Sequence, residues 1–189
     1  MNVLKEFKGI FEVDKAFYET FKECISKDAT RSFLMGVYFD SENNTFVATS
    51  GRRLIKHTPT ETYNIESGYY ELAKIGKVYK MIPKDMEGRF PNYQKILLNI
   101  DSNYKVLRND KKESMFSIQG NMKHDSWLLS EIVLQNETPI NFDFITKVLK
   151  HVPEFEVMIA DTHEGGNHFD PIYFIIDQCT TYMAQPMSR

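Results

Sequence analysis

The stretch FLMGVYFDSENNTFVATSGRRLIKH, residues 33–57, decides the fold class that the sequence predicts. Apolar side chains alternate from Phe33 to Phe39, which predicts a β-strand. The polar group Glu42–Asn44 predicts a turn, and Thr45–Thr49 and Arg53–His57 predict two further strands. The stretch therefore favours three consecutive strands joined by tight turns.

A helix is predicted directly before these strands, from Val13 to Lys27. Its apolar residues recur at helical spacing on one face, which is typical of an amphipathic helix that covers a sheet. Cys24 lies on this apolar face. A small buried apolar role is therefore expected for its thiol, rather than a reactive one.

The same order of elements recurs towards the end of the sequence. Apolar residues at steps of three and four predict a helix over Phe142–Leu149, and Asn141 is a suitable N-cap because its side-chain oxygen can accept from a free N–H of the first turn. Three strands are then predicted at Phe155–Ala160, Ile172–Ile176 and Thr181–Ala184. Each end of the chain thus consists of a helix followed by about three strands.

This duplication predicts the fold class and the organisation of the chain. We expect an α+β protein whose two helix-plus-three-strand halves are related by pseudo-two-fold symmetry. The length favours one domain or two small ones, and a single domain is expected over residues 1–189. Its halves are expected at about residues 8–65 and 136–189, with a variable middle at about 66–135.

The composition excludes several classes of protein. Hydrophobic residues make up 42% and aromatic residues 13% of the 189 residues, which excludes intrinsic disorder. No apolar run approaches the ~20 residues of a membrane span. The first residues, MNVLKEFKGIF, lack the apolar core of a secretory signal. A chain with two cysteines and no such signal is expected in the cytoplasm. Proteins that are held on DNA by a basic patch alone are usually basic. The net charge of −3 therefore argues against that class of protein for this chain.

Two polar turns carry residues capable of chemistry. Ser50–Arg53 combines a glycine with two arginines, so it is either a phosphate-binding loop or a tight turn between strands. The turn at residues 161–170 contains His163, His168 and Asp170, but their spacing matches no known metal-ligand pattern, and an exposed hairpin loop has the same composition. We therefore expect no metal, no cofactor and no catalytic residue.

Three segments, taken together and in this order, resemble the bacterial DNA polymerase III beta subunit, the sliding clamp. Residues 47–54, VATSGRRL, are similar to the family's ATDGHRL strand–turn–strand, and residues 34–39 resemble the strand before it. Residues 88–93, GRFPNY, are close to GRFPDY. The third segment runs from Ile140 to the C-terminus. Its residues Asn141, Phe144, Val148 and Leu149 resemble the family's F-N-x-x-Y-L-x-x-V-L helix, and Pro186-Met187 resembles the terminal MPMR. The resemblance covers about half of the chain and implies the DNA clamp (processivity) fold.

The resemblance also implies functional residues and partners. A pocket for a partner peptide would use Thr49, Gly51, Arg52, Arg53, Leu54, Asn141, Phe144, Pro186 and Met187. Apart from the resemblance, Lys15, Lys22, Lys147 and Lys150 lie on the polar faces of the two predicted helices, so they are either DNA-facing residues that contact phosphates or, with the acidic residues between them, an ordinary solvated face. The implied partners are double-stranded DNA, a DNA polymerase or another clamp-binding protein, and further copies of this chain, with no membrane involved.

The leading hypothesis is therefore an abbreviated clamp-like protein, of the kind that a phage or mobile element carries, which tethers a client to DNA without chemistry of its own. The alternative is a partner-binding or inhibitor protein that has the clamp fold and does not encircle DNA. A metal-dependent nuclease using His163, His168 and Asp170 is disfavoured by the spacing of those residues.

Overall fold

The computed structural model describes residues 1–97, 104–108, 115–116, 140–161, 166–167 and 169–186. The chain divides into two compact units, Met1–Pro91 and Asn92–Arg189. The division between the units lies within residues 66–135, the predicted variable middle. The assignment of both units to one domain stays a prediction.

The first unit contains one α-helix and seven antiparallel strands. The helix is α1 (Lys15–Cys24), and a 3₁₀ segment follows it at Ala29–Leu34. The strands are β1 (Val3–Phe7), β2 (Ile10–Val13), β3 (Val37–Asp40), β4 (Thr45–Thr49), β5 (Arg53–His57), β6 (Gly68–Ile75) and β7 (Val78–Pro83). Their order across the sheet is β1-β2-β7-β6-β3-β4-β5, and the neighbouring strands pair antiparallel.

Helix α1 covers one face of this sheet, as the amphipathic pattern predicts. Asp14 caps it by accepting a hydrogen bond from the backbone N–H of Phe17 at 2.7 Å. The rings of Phe17 and Phe21 stack with centroids 4.1 Å apart and are fully buried. Cys24 is buried as well, which confirms the apolar role expected for it, and burial raises the pKa of its thiol to about 12.

The strand predicted from Phe33 begins later, at Val37, because a local hydrogen-bond network holds the preceding residues in a 3₁₀ conformation. The carboxylate of Asp28 accepts from the backbone N–H of Thr30 at 3.0 Å and from Nε of Arg31 at 3.0 Å. Such side-chain-to-backbone bonds favour turns over strands. The alternation of apolar residues therefore predicts the start of this strand too early in the sequence.

Two hairpins were not predicted from the sequence. The β1–β2 hairpin closes at Lys8 and Gly9, whose φ angles are 52° and 75°, as a two-residue turn of this kind requires. The β6–β7 hairpin closes at Gly76 and Lys77, within the segment treated as variable. Both hairpins belong to the first unit, which ends at Pro91.

The second unit repeats the order of elements in the first. After α2 (Tyr93–Leu97) and strands β8 (Tyr104–Val106) and β9 (Met115–Phe116), helix α3 (Phe142–Leu149) precedes β10 (Phe155–Ala160), β11 (Ile172–Asp177) and β12 (Thr180–Ala184). These three strands form a consecutive antiparallel meander, and β8 and β9 both pair with β10. The predicted helix and its N-cap are confirmed, since Asn141 accepts from the backbone N–H of Asp143 at 3.0 Å.

The strand-like runs noted in the middle of the sequence are only partly within the described residues. Met115–Phe116 is a strand, whereas residues 117–118 and 127–134 lie outside the described ranges. In the described part of the chain, no helix is long and apolar enough to cross a membrane.

Candidate partner-binding site

The turn between β4 and β5 is held by hydrogen bonds within itself. The hydroxyl of Thr49 donates to the carbonyl oxygen of Arg53 at 2.6 Å and accepts from the backbone N–H of Gly51 at 3.1 Å. The N–H of Ser50 donates to the same carbonyl of Arg53 at 3.1 Å. Gly51 has a φ of 88°, a conformation that side chains with a Cβ rarely adopt. The turn is therefore rigid, and Thr49 and Gly51 are the residues that make it so.

The two arginines of this turn differ in their surroundings. Arg52 is exposed. Arg53 is half-buried, and its positive charge lowers the pKa of the Cys24 thiol against the larger opposing effect of burial. Leu54, the next residue, is completely buried. Of this group, Arg52 is the side chain best placed to contact a partner.

A third arginine, which the sequence analysis missed, approaches the same turn. Nη1 of Arg31 lies 3.2 Å from the position that a Cβ on Gly51 would occupy. Nε of Arg31 pairs with the carboxylate of Asp28 at 3.0 Å. Hydrogen bonds from the hydroxyl and N–H of Thr30, and then from Arg31, lower the pKa of Asp28. No local pattern marks Arg31, because only the packing of the 3₁₀ segment brings it to the turn.

The second set of predicted pocket residues lies in the second unit. Asn141 caps α3, and the half-buried Phe144 offers its backbone carbonyl to the hydroxyl of Tyr182. Pro186 is buried, and Met187 lies outside the described residues. Since these residues and the turn at Thr49–Leu54 belong to different units, their convergence on one pocket stays a prediction.

The four lysines predicted to face DNA are exposed on the two helices. Lys15 and Lys22 belong to α1, and Nζ of Lys22 lies 5.5 Å from the ring centroid of Tyr18. Lys147 and Lys150 belong to the last turn and C-cap of α3. Nζ of Lys147 pairs with the carboxylate of Asp143 at 2.7 Å, so part of its charge is already compensated within the helix.

The comparisons with known proteins decide the fold. No family model and no curated protein matches the chain. Among solved structures, the DNA polymerase III beta chain of Streptococcus pneumoniae covers 98% of this chain and 67% of its own, with 12% identity and a TM-score of 0.61. The sliding clamp of Bacillus subtilis covers 100% of this chain and 66% of its own, with 11% identity and a TM-score of 0.58.

The chain has the DNA sliding-clamp fold. This result confirms the resemblance and the α+β fold class that the sequence predicted. A further structure with this fold is the sliding clamp of Bartonella birtlesii bound to griselimycin, with 12% identity, a TM-score of 0.57, and coverage of 100% of this chain and 69% of its own. The chain spans about two thirds of the length of these clamps.

Within the clamp fold, the segment Gly88–Tyr93 contains residues that pack against the sheet of the first unit. The ring of Phe90 stacks on that of Tyr38, with centroids 4.8 Å apart and planes 10° apart. The hydroxyl of Tyr69 donates to the carbonyl of Gly88 at 3.0 Å. Gly88 has a φ of 111°, and a Cβ there would lie 2.5 Å from the ring of Phe33. Gly88 and Phe90 of the GRFPNY motif therefore have a packing role in the first unit.

The C-terminal turn with metal-type residues is only partly described. Residues 162–165 and 168, which include His163 and His168, lie outside the described ranges. Oδ2 of Asp170 accepts from the backbone N–H of Asn167 at 2.8 Å, which is a turn-forming contact. Elsewhere in the described residues no three His, Cys, Asp or Glu side chains are grouped so as to hold a metal ion. The expectation of no metal here stays a prediction.

Thr49→Val is expected to destabilise the β4–β5 turn. Valine has the same shape as threonine but lacks the hydroxyl that bonds to the carbonyl of Arg53 and to the N–H of Gly51. A buried hydrogen bond of this type contributes about 1 kcal/mol or more to stability. Thr49 is 4% exposed, so water does not replace the lost contacts. Urea unfolding should show a loss of about 1–2 kcal/mol for Thr49→Val. Thr49→Ser, which retains the hydroxyl, should lose less; an equal loss would contradict this role.

Proposed function

We propose that this chain is a non-enzymatic DNA clamp-like protein, which tethers a DNA polymerase or another client protein to double-stranded DNA. The observation that carries the proposal is the fold, because proteins described as DNA polymerase sliding clamps match 95–100% of the chain. The client binds by a short apolar peptide, and the candidate contact residues are those of the turn Thr49–Leu54 in the first unit and Asn141, Phe144, Pro186 and Met187 in the second.

The proposed mechanism requires no reacting group. Several copies of the chain associate into a ring around DNA, and the ring holds the client near the template. The exposed lysines of α1 and α3 face the phosphates. A net charge of −3 is compatible with this mechanism, because a closed ring stays on DNA without strong phosphate binding.

The chemistry of the β4–β5 turn supports a peptide partner. Arg52 and Arg31 offer guanidinium groups, which form directional charge-assisted hydrogen bonds to a carboxylate or a backbone carbonyl. The proposed role of these arginines is to set the direction in which the peptide lies. The sliding clamp of Bartonella birtlesii binds griselimycin, which provides a defined probe for this peptide site.

Retention on circular DNA tests the tethering function directly. A ring should remain on a nicked circular plasmid at salt concentrations that abolish phosphate contacts, and it should dissociate when the plasmid is linearised. Light scattering on the same preparation gives the number of copies per assembly. Loss from circular and linear DNA at the same salt concentration would overturn the encircling mechanism.

The charge of the chain favours a second candidate, a partner-binding or inhibitor protein that has the clamp fold and does not encircle DNA. The net charge is −3, and one of the candidate DNA-facing lysines, Lys147, already pairs with Asp143. This candidate predicts binding of griselimycin or of a labelled clamp-binding peptide by a monomer, with no retention on circular DNA. Absence of both activities would contradict both candidates.

A further inference from the structure

Two lysines and two tyrosines form a continuous row on the helix-covered face of the first unit. Nζ of Lys22 lies 5.5 Å from the ring centroid of Tyr18, and the rings of Tyr18 and Tyr79 are 4.8 Å apart. Nζ of Lys74 lies 5.4 Å from the ring centroid of Tyr79. The row therefore joins helix α1 to the β6–β7 hairpin, and each end of it is an ammonium group.

The sheet register places Lys74 on the same face as α1. Lys74 is paired directly with Tyr79 across the hairpin, and Tyr79 is paired with Val13, which is buried. Residues directly opposite each other in an antiparallel sheet point to the same side. Lys80, the next residue along β7, therefore points to the opposite side, opposite Ala73 and Glu12.

The tyrosine pair holds the two ammonium groups in place. Tyr18 is only 7% exposed, and its ring and that of Tyr79 form cation–π contacts with the ammonium groups of Lys22 and Lys74. Both lysines are exposed, and among the described residues neither forms an ion pair within 4 Å. An anion that binds here meets charges that are already positioned, which lowers the entropy lost on binding.

The charges around the row favour an anionic partner with extended, repeated charge. Lys15 lies three residues before Tyr18 on α1 and adds a third ammonium group, while Glu19 and Glu23 are the acidic residues of the same helix. Three lysines on a helix and a hairpin can each contact a different phosphate along a nucleic-acid backbone. A partner with a single carboxylate matches this arrangement less well.

We infer that the DNA-contacting surface continues from α1 onto the β6–β7 hairpin, and that Lys74 contacts a phosphate of the same duplex as Lys22. This inference rests on the proposed DNA-clamp function and adds a contact that lies outside the helices. The hairpin thereby has a binding role as well as a structural one in the sheet.

The test measures the salt dependence of binding to a short linear duplex, from which a ring can slide off so that enclosure does not contribute. Lys22→Gln and Lys74→Gln should each lower the slope of log K against log salt by about 0.9, the value of one phosphate contact. Lys80→Gln removes the same charge from the other face of the same hairpin and should leave the slope unchanged. Thermal unfolding checks that all three variants fold.

The outcomes separate the inference from the proposed function. If the protein binds the duplex and Lys22→Gln lowers the slope while Lys74→Gln behaves like Lys80→Gln, the hairpin contact is wrong and the clamp function is unaffected. Equal reductions for Lys74→Gln and Lys80→Gln would show an effect of net charge only, which also overturns the inference. If the unaltered protein binds no duplex even at low salt, the DNA-binding part of the proposed function fails together with the inference.

Discussion

Gly36→Ala is expected to lower the free energy of unfolding by about 3 kcal/mol, as overpacking against backbone does. A Cβ on Gly36 would lie 2.5 Å from the carbonyl oxygen of Tyr70 and 2.6 Å from Cε of Met86. The end of the methionine side chain can move, but the carbonyl cannot easily do so, because Tyr70 is paired with Val37 in the sheet. Urea unfolding followed by circular dichroism measures the loss.

Gly68→Ala provides the matched control for this prediction. Gly68 begins β6, close in the sequence to Tyr70, yet a Cβ there would meet nothing within 4 Å. Its backbone lies outside the left-handed region, so alanine should leave stability unchanged or raise it by up to about 1 kcal/mol. Equal stabilities for Gly36→Ala and Gly68→Ala would show that the β3–β6 contact adapts, and the prediction would be wrong.

Arg52→Glu is expected to weaken the binding of a clamp-binding peptide by about 2 kcal/mol, roughly thirtyfold. Arg52 is exposed and forms no hydrogen bond or ion pair within the described residues, so its guanidinium is available to a partner. The substitution replaces an attraction to a peptide carboxylate or carbonyl by a repulsion. It leaves the hydrogen bonds of the turn intact, because the hydroxyl of Thr49 bonds to the carbonyl of Arg53 and to the N–H of Gly51, and neither bond involves Arg52.

Fluorescence anisotropy with a labelled peptide, and competition by griselimycin, measure this effect. Lys77→Glu is the control, since it makes the same change of charge at an exposed turn between β6 and β7. Its affinity should stay within about twofold of that of the unaltered protein, because Lys77 is not among the proposed contact residues and the effect of exposed charges is screened by salt. If the two variants bind equally well, the β4–β5 turn is not part of the peptide site.

The site could be predicted from the sequence only where its geometry is local. The turn Thr49–Arg53 was recognised because its glycine and its flanking strands lie within a few residues of one another. The N-cap at Asn141 was recognised for the same reason, since an N-cap bonds within its own first turn. Arg31 was missed because it reaches Gly51 through the packing of the 3₁₀ segment, for which no periodic pattern exists. The hydrogen bonds of Asp28 in that segment also outweighed the alternation around Phe33.

By itself the sequence determined the repeated order of a helix and three strands, the bounds of α3, β4, β5 and β10, and the burial of Cys24. These features depend on the period of apolar residues and on capping groups, which act over a few residues. Only the tertiary structure decided which glycines tolerate no side chain, where the first unit ends, and that Lys74 shares a face with Lys22. These features depend on which strand lies beside which, and strand pairing is set by contacts between residues far apart in the chain.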